Sequence, residues 1–188
     1  MHIRDRAQMD LDACVEALAQ VQAVDRYPVH WPDDPGGWLT PDDLVGAWVA
    51  VEPTPEVTGP ARAWSTGEAT GQGPDEVVGS AVAVLGHVAL TRDMEVTRLF
   101  VVPAARGRGV AARLLDTVRA AAGAPLRLEV SSEGTDAIRF YERSGWRRIG
   151  STRATWLNAA GEPALLHRYV SPAPRPSEPP RGATSASR

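Results

Sequence analysis

The stretch Glu95–Trp146, EVTRLFVVPAARGRGVAARLLDTVRAAAGAPLRLEVSSEGTDAIRFYERSGW, decides the fold. From Glu95 to Val102 it is a β-branched run that stops at Pro103, as a strand does. From Gly109 to Ala122, Val110, Leu114, Leu115 and Val118 return at helical spacing, which puts one apolar stripe against a core. Leu126 to Val130 alternates, with Leu126, Leu128 and Val130 on one face and Arg127 and Glu129 on the other. A further helix is predicted from Thr135, acting as N-cap, to Ser144, closed by Gly145. This alternation of strands and helices predicts a parallel βαβα core within a mixed α/β sheet.

Outward from this stretch the elements are shorter. Leu11, Val15, Leu18 and Val21 predict a helix from Asp10 to Val24, with Asp10 and Asp12 at its positive end. RYPVHWPDDPGGWLTPDD, beginning at Arg26, is too rich in proline for a long helix or a regular strand and reads as an ordered loop or short helical turn. Gly46–Glu52 and Val77–Ala89 read as strands, the second with Gly79 and Gly86 as bulges. The long loop Pro53–Asp75 between them is a substrate lid or an insertion; loop lengthening costs little, which favours the insertion. Trp146–Gly150 and Leu165–Val170 read as the last strands, with a turn through Asn158–Gly161. One domain is expected over residues 1–170, and Ser171–Arg188, Pro-rich and without apolar periodicity, is expected to be a disordered tail.

With 43% hydrophobic residues in 188, the chain can build a substantial core. All 20 basic residues are arginine, and the tail holds three arginines against one glutamate, so the body is more acidic than the net charge of −3. That balance argues against general nucleic-acid binding and requires any anion site to be local. The single cysteine, Cys14, excludes an intramolecular disulfide and fits the apolar stripe of the first helix. His2, His30, His87 and His167 lack ligand spacing, so no metal is expected. No apolar stretch approaches the roughly 20 residues of a membrane span. The charged start MHIRDRAQMD is unlike a signal peptide, and a cytoplasmic protein is expected.

Arg106-Gly107-Arg108-Gly109 lies between a strand and a helix, where unpaired N–H groups and the positive helix end favour a phosphate. The patterns GxxxxGK[ST] and GxGxxG with an acidic ribose partner are absent, so a different phosphate-rich ligand is required. RNA binding through RGRG lacks aromatic platforms and positive charge.

Arg106-Gly107-Arg108-Gly109-Val110-Ala111 matches the (Q/R)xxGx(G/A) motif of the GNAT acetyltransferases. With RLFVVP before it and LEV and AIRFYERSGW after it, the chain resembles that family over Glu95–Trp146. The resemblance implies a mixed, mostly antiparallel sheet with a splayed central parallel strand pair, flanked by helices. It implies acetyl-CoA as cosubstrate, its pyrophosphate on the amides of Arg106 to Ala112 (Arg106, Gly107, Arg108, Gly109, Val110, Ala111, Ala112) and its pantetheine arm along Leu99, Phe100 and Val101. Many relatives have asparagine where this chain has Gly134, and Thr135 or a backbone amide would take over its contact.

An alkylamine with a pKa of about 10.4 must lose a proton before it attacks a thioester, which calls for a carboxylate base. Glu95 has the spacing of the general base in the family's histone acetyltransferase branch. Glu129 holds the LEV position that the ribosomal-protein acetyltransferases use. Tyr141 matches the phenol that protonates or hydrogen-bonds the departing thiolate. The expected reaction is direct transfer of an acetyl group to a primary amine, without a cysteine intermediate. The acceptor side is expected from Tyr27, His30, Trp31, Trp38 and Trp156, with Asp33 or Asp34 attracting a cation; the same aromatics could instead form a small core under the loop. The competing readings are a non-catalytic acyl-CoA sensor and transfer of a longer acyl group. Homodimerisation is frequent among such relatives and is left open.

Overall fold

In a computed structural model of the chain, which describes residues 1–53, 82–158 and 160–172, Val84 to Leu90 are buried without a break. Such burial marks a strand covered on both faces. The elements run β1 (His2–Asp5), α1 (Leu11–Asp25), α2 (Pro35–Trp38), β2 (Leu44–Pro53), β3 (Val82–Thr91), β4 (Val96–Val101), α3 (Val110–Ala122), β5 (Arg127–Ser131), α4 (Thr135–Arg143), β6 (Arg147–Leu157) and β7 (Pro163–Val170). Strands β1-β2-β3-β4 form one antiparallel sheet in that order. Strands β5-β7-β6 form a second antiparallel sheet. Among the described residues a single parallel bridge, Glu95 to Arg127, joins them. The result is a mixed α/β fold, mostly antiparallel, with its one parallel contact at the centre.

Helices α1 and α3 both pack on β3. The apolar stripe of α3 is buried as its spacing predicts, through Val110, Leu114, Leu115 and Val118. Gly86 permits this approach, because a Cβ there would stand 2.8 Å from the Phe100 carbonyl oxygen and 3.2 Å from both Leu114 and Val110. Cys14 is wholly buried in α1, and burial pushes its thiol up to about 12, so it packs as a neutral group.

Several expectations need correcting. The charged N-terminus contains a strand: β1 pairs with β2 from His2–Val51 to Asp5–Trp48. Asp10 is the N-cap residue of α1, as expected, but its side chain makes no capping bond; it is buried, accepts from Arg4 at 2.5 and 2.7 Å and from the Ala7 N–H at 2.7 Å. The Arg4 hydrogen bond holds its carboxyl below the usual carboxylate range. Thr135 is the first residue of α4, and Gly134 occupies the cap position without a side-chain bond. The β3 bulge falls between Ala50 and Val51, where Gly86 and Val84 are their partners, so Leu85 is the extra residue. Strand β6 runs on to Leu157, and Gly150 sits at a register shift within it rather than at its end. Ser171 belongs to the body: it is buried, its Oγ accepts from the Leu126 N–H at 2.9 Å, and its own N–H donates to Leu126 O at 2.8 Å. The start of the second predicted strand at Val77, Gly79, the loop to Asp75 and the tail beyond residue 172 lie outside the described residues.

Candidate active site

The turn from β4 into α3 is built from backbone. Val102 donates its N–H to Leu85 O at 2.9 Å, and a 3₁₀ turn over Pro103–Ala105 follows. Gly107 and Gly109 then adopt left-handed φ values of 73° and 74°. A Cβ at either would meet nothing within 4 Å, so the glycines serve conformation and leave the loop open. The first helical bond of α3 is Arg113 N–H to Gly109 O at 3.1 Å. The N–H groups of Val110, Ala111 and Ala112 therefore have no helical acceptor and point out of a positive helix end. Arg106 pairs with Asp25 at the end of α1, and Arg108 pairs with Glu52, whose carboxyl it holds below the ordinary range. Arg106 also reaches back to Val101 O at 3.4 Å from both Nε and Nη2. Open amides flanked by two guanidiniums suit a diphosphate.

Between β4 and β5 a cleft opens. The Arg127 N–H bonds Met94 O at 2.9 Å beside the Glu95–Arg127 bridge. Beyond it, among the described residues, β4 pairs only with β3, and β5 only with β7. The divergence is accompanied by a bulge in β4. Phe100 faces His87 and Thr97 faces Ala89, so three steps along β4 match two along β3. Arg98, inside the bulge, has φ 52°, which is costly for a residue with a side chain.

His87, fully buried, supports that conformation. Its Nδ1 lies 3.0 Å from Arg98 O, which can only accept, so Nδ1 carries the proton. Its Nε2 lies 3.2 Å from Arg6 Nη1 and so accepts. Burial lowers the imidazole to about 4, keeping it neutral, and the ring stacks on Phe100 at 5.4 Å. Arg6 also donates to Leu39 O and to Thr40 Oγ1, both at 2.8 Å. Arg98 donates to Trp38 O at 2.9 Å and lies 4.5 Å from the centre of the Trp38 ring. The bulge and the loop around α2 are thus tied together by two arginines and a histidine.

Glu95 and Glu129 share the groove where the sheets meet with a third carboxylate, Asp93. A hollow of about 660 Å³ is lined by Asp93, Glu95, Arg127, Glu129, Ile149 and Arg168, among others. Burial raises the Glu95 pKa, and the Glu129 charge raises it further, with Arg98 opposing. Tyr141 comes from α4 and packs against Phe140, Trp146 and Tyr169. Burial raises its phenol well above the ordinary value, with a smaller contribution from nearby Tyr27. Among the described residues its hydroxyl has no hydrogen-bond partner, whereas that of Tyr169 donates to Glu142 at 3.0 Å.

Comparison with known proteins matches this architecture. Residues 76–155 fit the family model described as acetyltransferase (GNAT) domain. Over those residues the chain is similar to the GNAT acetyltransferases. NAA60 of Arabidopsis thaliana, solved with a bisubstrate analogue, is similar in fold at a TM-score of 0.62 and 17% identity, covering 90% of this chain and 97% of that one. The same protein solved with acetyl-CoA gives 0.60 at 18% identity, with 90% and 96% covered. The ribosomal-protein-S18-alanine N-acetyltransferase of Escherichia coli gives 0.59 at 17% identity, with 95% and 97% covered. An uncharacterized protein of Mycobacterium leprae is 40% identical over 97 residues, which cover 47% of this chain and only 27% of that relative's length.

The residues singled out from sequence fall into three groups. Arg106 to Ala112 form one continuous loop and helix start beside Leu99, Phe100 and Val101; the Phe100 side chain is buried in the core. Glu95 and Glu129 come together, and Tyr27 meets Trp38 edge to face at 5.9 Å. Tyr27 leaves 36% of its surface open, yet burial of its hydroxyl end pushes it up to about 12. His30, Trp31 and Trp156 make no aromatic pair with them among the described residues, and Thr135 is exposed at the head of α4. Sequence reasoning missed Arg6, His87 and Arg98. The signal for His87 was present, as a lone imidazole inside the apolar run VAVLGHVAL.

Proposed function

We propose that the protein is an acetyl-CoA-dependent N-acetyltransferase that moves an acetyl group directly to a primary amine. The observation that carries this reading is the cleft between β4 and β5, with open helix-start amides at its wide end and the Glu95–Glu129 pair across its joined end. Gly107 to Ala112 would hold the pyrophosphate, with Arg106 and Arg108 released from Asp25 and Glu52 to neutralise it. The unpaired edge of β4 from Leu99 to Val101 would take the extended pantetheine arm. Acetyl-CoA supplies the activated acyl group. Glu95, whose raised pKa makes it a stronger base, takes the proton from the amine directly or through water, with Glu129 beside it. The amine nitrogen bonds the carbonyl carbon, the carbon–sulfur bond breaks, and Tyr141, still protonated, supplies a proton or hydrogen bond to the departing sulfur. Proximity and oriented amides provide the remaining acceleration. Tyr27 and Trp38 would line the acceptor side.

The test is a calorimetric titration of the protein with acetyl-CoA, followed by a thiol-release assay across a panel of primary amines. Micromolar or tighter binding with amine-dependent release of free thiol is expected. Binding without release for any amine would favour a sensor, and no binding by folded protein free of copurified CoA would sink the acetyltransferase reading.

A further inference from the structure

The carboxylate groove also holds two cations, each set across from a carboxylate: Arg127 from Glu95 at the bridge and Arg168 from Glu129. On β5 and β7 the residues Leu128 and Tyr169 oppose each other on the face that packs under Tyr141 of α4. Their neighbours Glu129 and Arg168, also directly opposed, therefore share the other face, together with Arg127 two residues along β5. Glu129, Arg127 and Arg168 are all exposed there. Strand geometry sets Glu129 about 5 Å from Arg168 and about 7 Å from Arg127 at the level of their Cβ atoms. Yet among the described residues neither arginine forms an ion pair. The Arg168 guanidinium lies instead over Gly150 of β6, where a Cβ would stand 3.6 Å from Nη2. Both arginines line the same hollow as Glu95 and Glu129.

The groove thus carries both signs of charge, with the guanidiniums close to the carboxylates yet not paired with them among the described residues. Resting on the acetyltransferase reading, we propose that the acceptor carries an anionic group close to its amine, bound by Arg127 and Arg168 while Glu95 and Glu129 receive the ammonium. The chemistry shared by its sources is an amine with a neighbouring carboxylate, either a free amino acid or a peptide N-terminus followed by an acidic residue. A simple alkylamine would forgo the charge-assisted hydrogen bonds that the two guanidiniums offer an anionic neighbour, which is the source of the discrimination. Acetylation removes the positive charge of the amine, so the product keeps only the anionic half of its recognition and leaves readily.

Matched pairs in the thiol-release assay test this. One arm compares alanine with ethylamine and phenylalanine with phenethylamine. The other compares the amidated peptides Ala-Asp-Ala and Ala-Lys-Ala. The anionic member of one arm should be favoured by about tenfold or more in kcat/KM, and the arm in which this occurs identifies the source. Arg168→Gln and Arg127→Gln should each shrink that ratio by about tenfold, with acetyl-CoA affinity by calorimetry unchanged as the control for folding. Should no pair release thiol, binding of the same compounds to acetyl-CoA-saturated protein gives the ratio instead. Equal treatment of both members in both arms, or a variant that weakens both members alike, overturns the proposal. Failure of acetyl-CoA itself to bind would strike the underlying reading and has a separate signature.

Discussion

The two ends of the cleft are made of different material. At Arg106–Ala112 the groups offered to the proposed ligand are backbone amides, oriented by two left-handed glycines and the first turn of α3. At Glu95, Glu129, Arg127 and Arg168 they are side chains, drawn from β5, β7 and the bridge residue ahead of β4, and assembled by pairing across more than seventy positions of sequence. A backbone site depends on conformation and tolerates most changes of side chain. A side-chain site depends on topology and is lost or retuned one residue at a time.

Gly109→Val should break the first end most severely. A β-branched residue at φ 74° is strained, and losing several charge-assisted bonds worth together about 4 kcal/mol would weaken acetyl-CoA binding about 1,000-fold by calorimetry. Unchanged affinity would mean that Arg106 and Arg108 hold the ligand through their side chains, and the contrast would disappear.

The bulge between the two ends should respond to acid. His87 has a folded pKa of about 4 against 6.5 unfolded, so between these values the unfolded chain binds more protons. Stability from this group is complete above pH 6.5 and is lost as pH falls toward 4, by about 3 kcal/mol. The cations facing it, Arg6 and Arg98, disfavour its protonation in the same direction. Denaturant unfolding of His87→Gln across that range should show a flatter profile than the parent; an equally steep one would assign the acid sensitivity elsewhere.

Next in size are the acceptor-end substitutions. Glu95→Gln and Tyr141→Phe should each lower kcat about 100-fold while leaving acetyl-CoA affinity intact. Because Glu95 must be ionised to act, kcat/KM should rise with pH through its raised pKa, and Glu95→Gln should remove that limb. A surviving limb would transfer the role to Glu129. Smallest is Asp25→Asn, which frees Arg106 from a pair with both partners more than a third exposed. Such pairs are worth less than about 1 kcal/mol, so acetyl-CoA should bind about threefold tighter at low salt, a gain that high salt erases.

The same contrast explains what was legible in the sequence. The strand, glycine loop and amphipathic helix from Val96 to Ala122 can be read in order, because spacing, proline and glycine act locally. Strand β1 could not, since HIRD is short and charged and becomes a strand only by pairing with β2. The extent of β6 depended likewise on β7, its partner from Arg147 to Leu157. Among the proposed site residues, Glu95 and Glu129 were singled out because each sits in a motif. Arg168 was not, since only the β5–β7 register places it beside Glu129. His87 was passed over as one of four scattered histidines, because its value lies in a carbonyl eleven residues away that a bulge turns toward it.

The single bridge between Glu95 and Arg127 has one more consequence, for association between molecules. Beyond it β4 and β5 each present an unpaired strand edge, ordinarily an invitation to another chain. Here the two edges face one another from a gap that begins at one strand spacing, about 4.8 Å, whereas an inserted strand needs two. Near the joint a polypeptide is too wide to enter. The opening can admit a thin, extended, amide-bearing ligand while denying itself to aggregation.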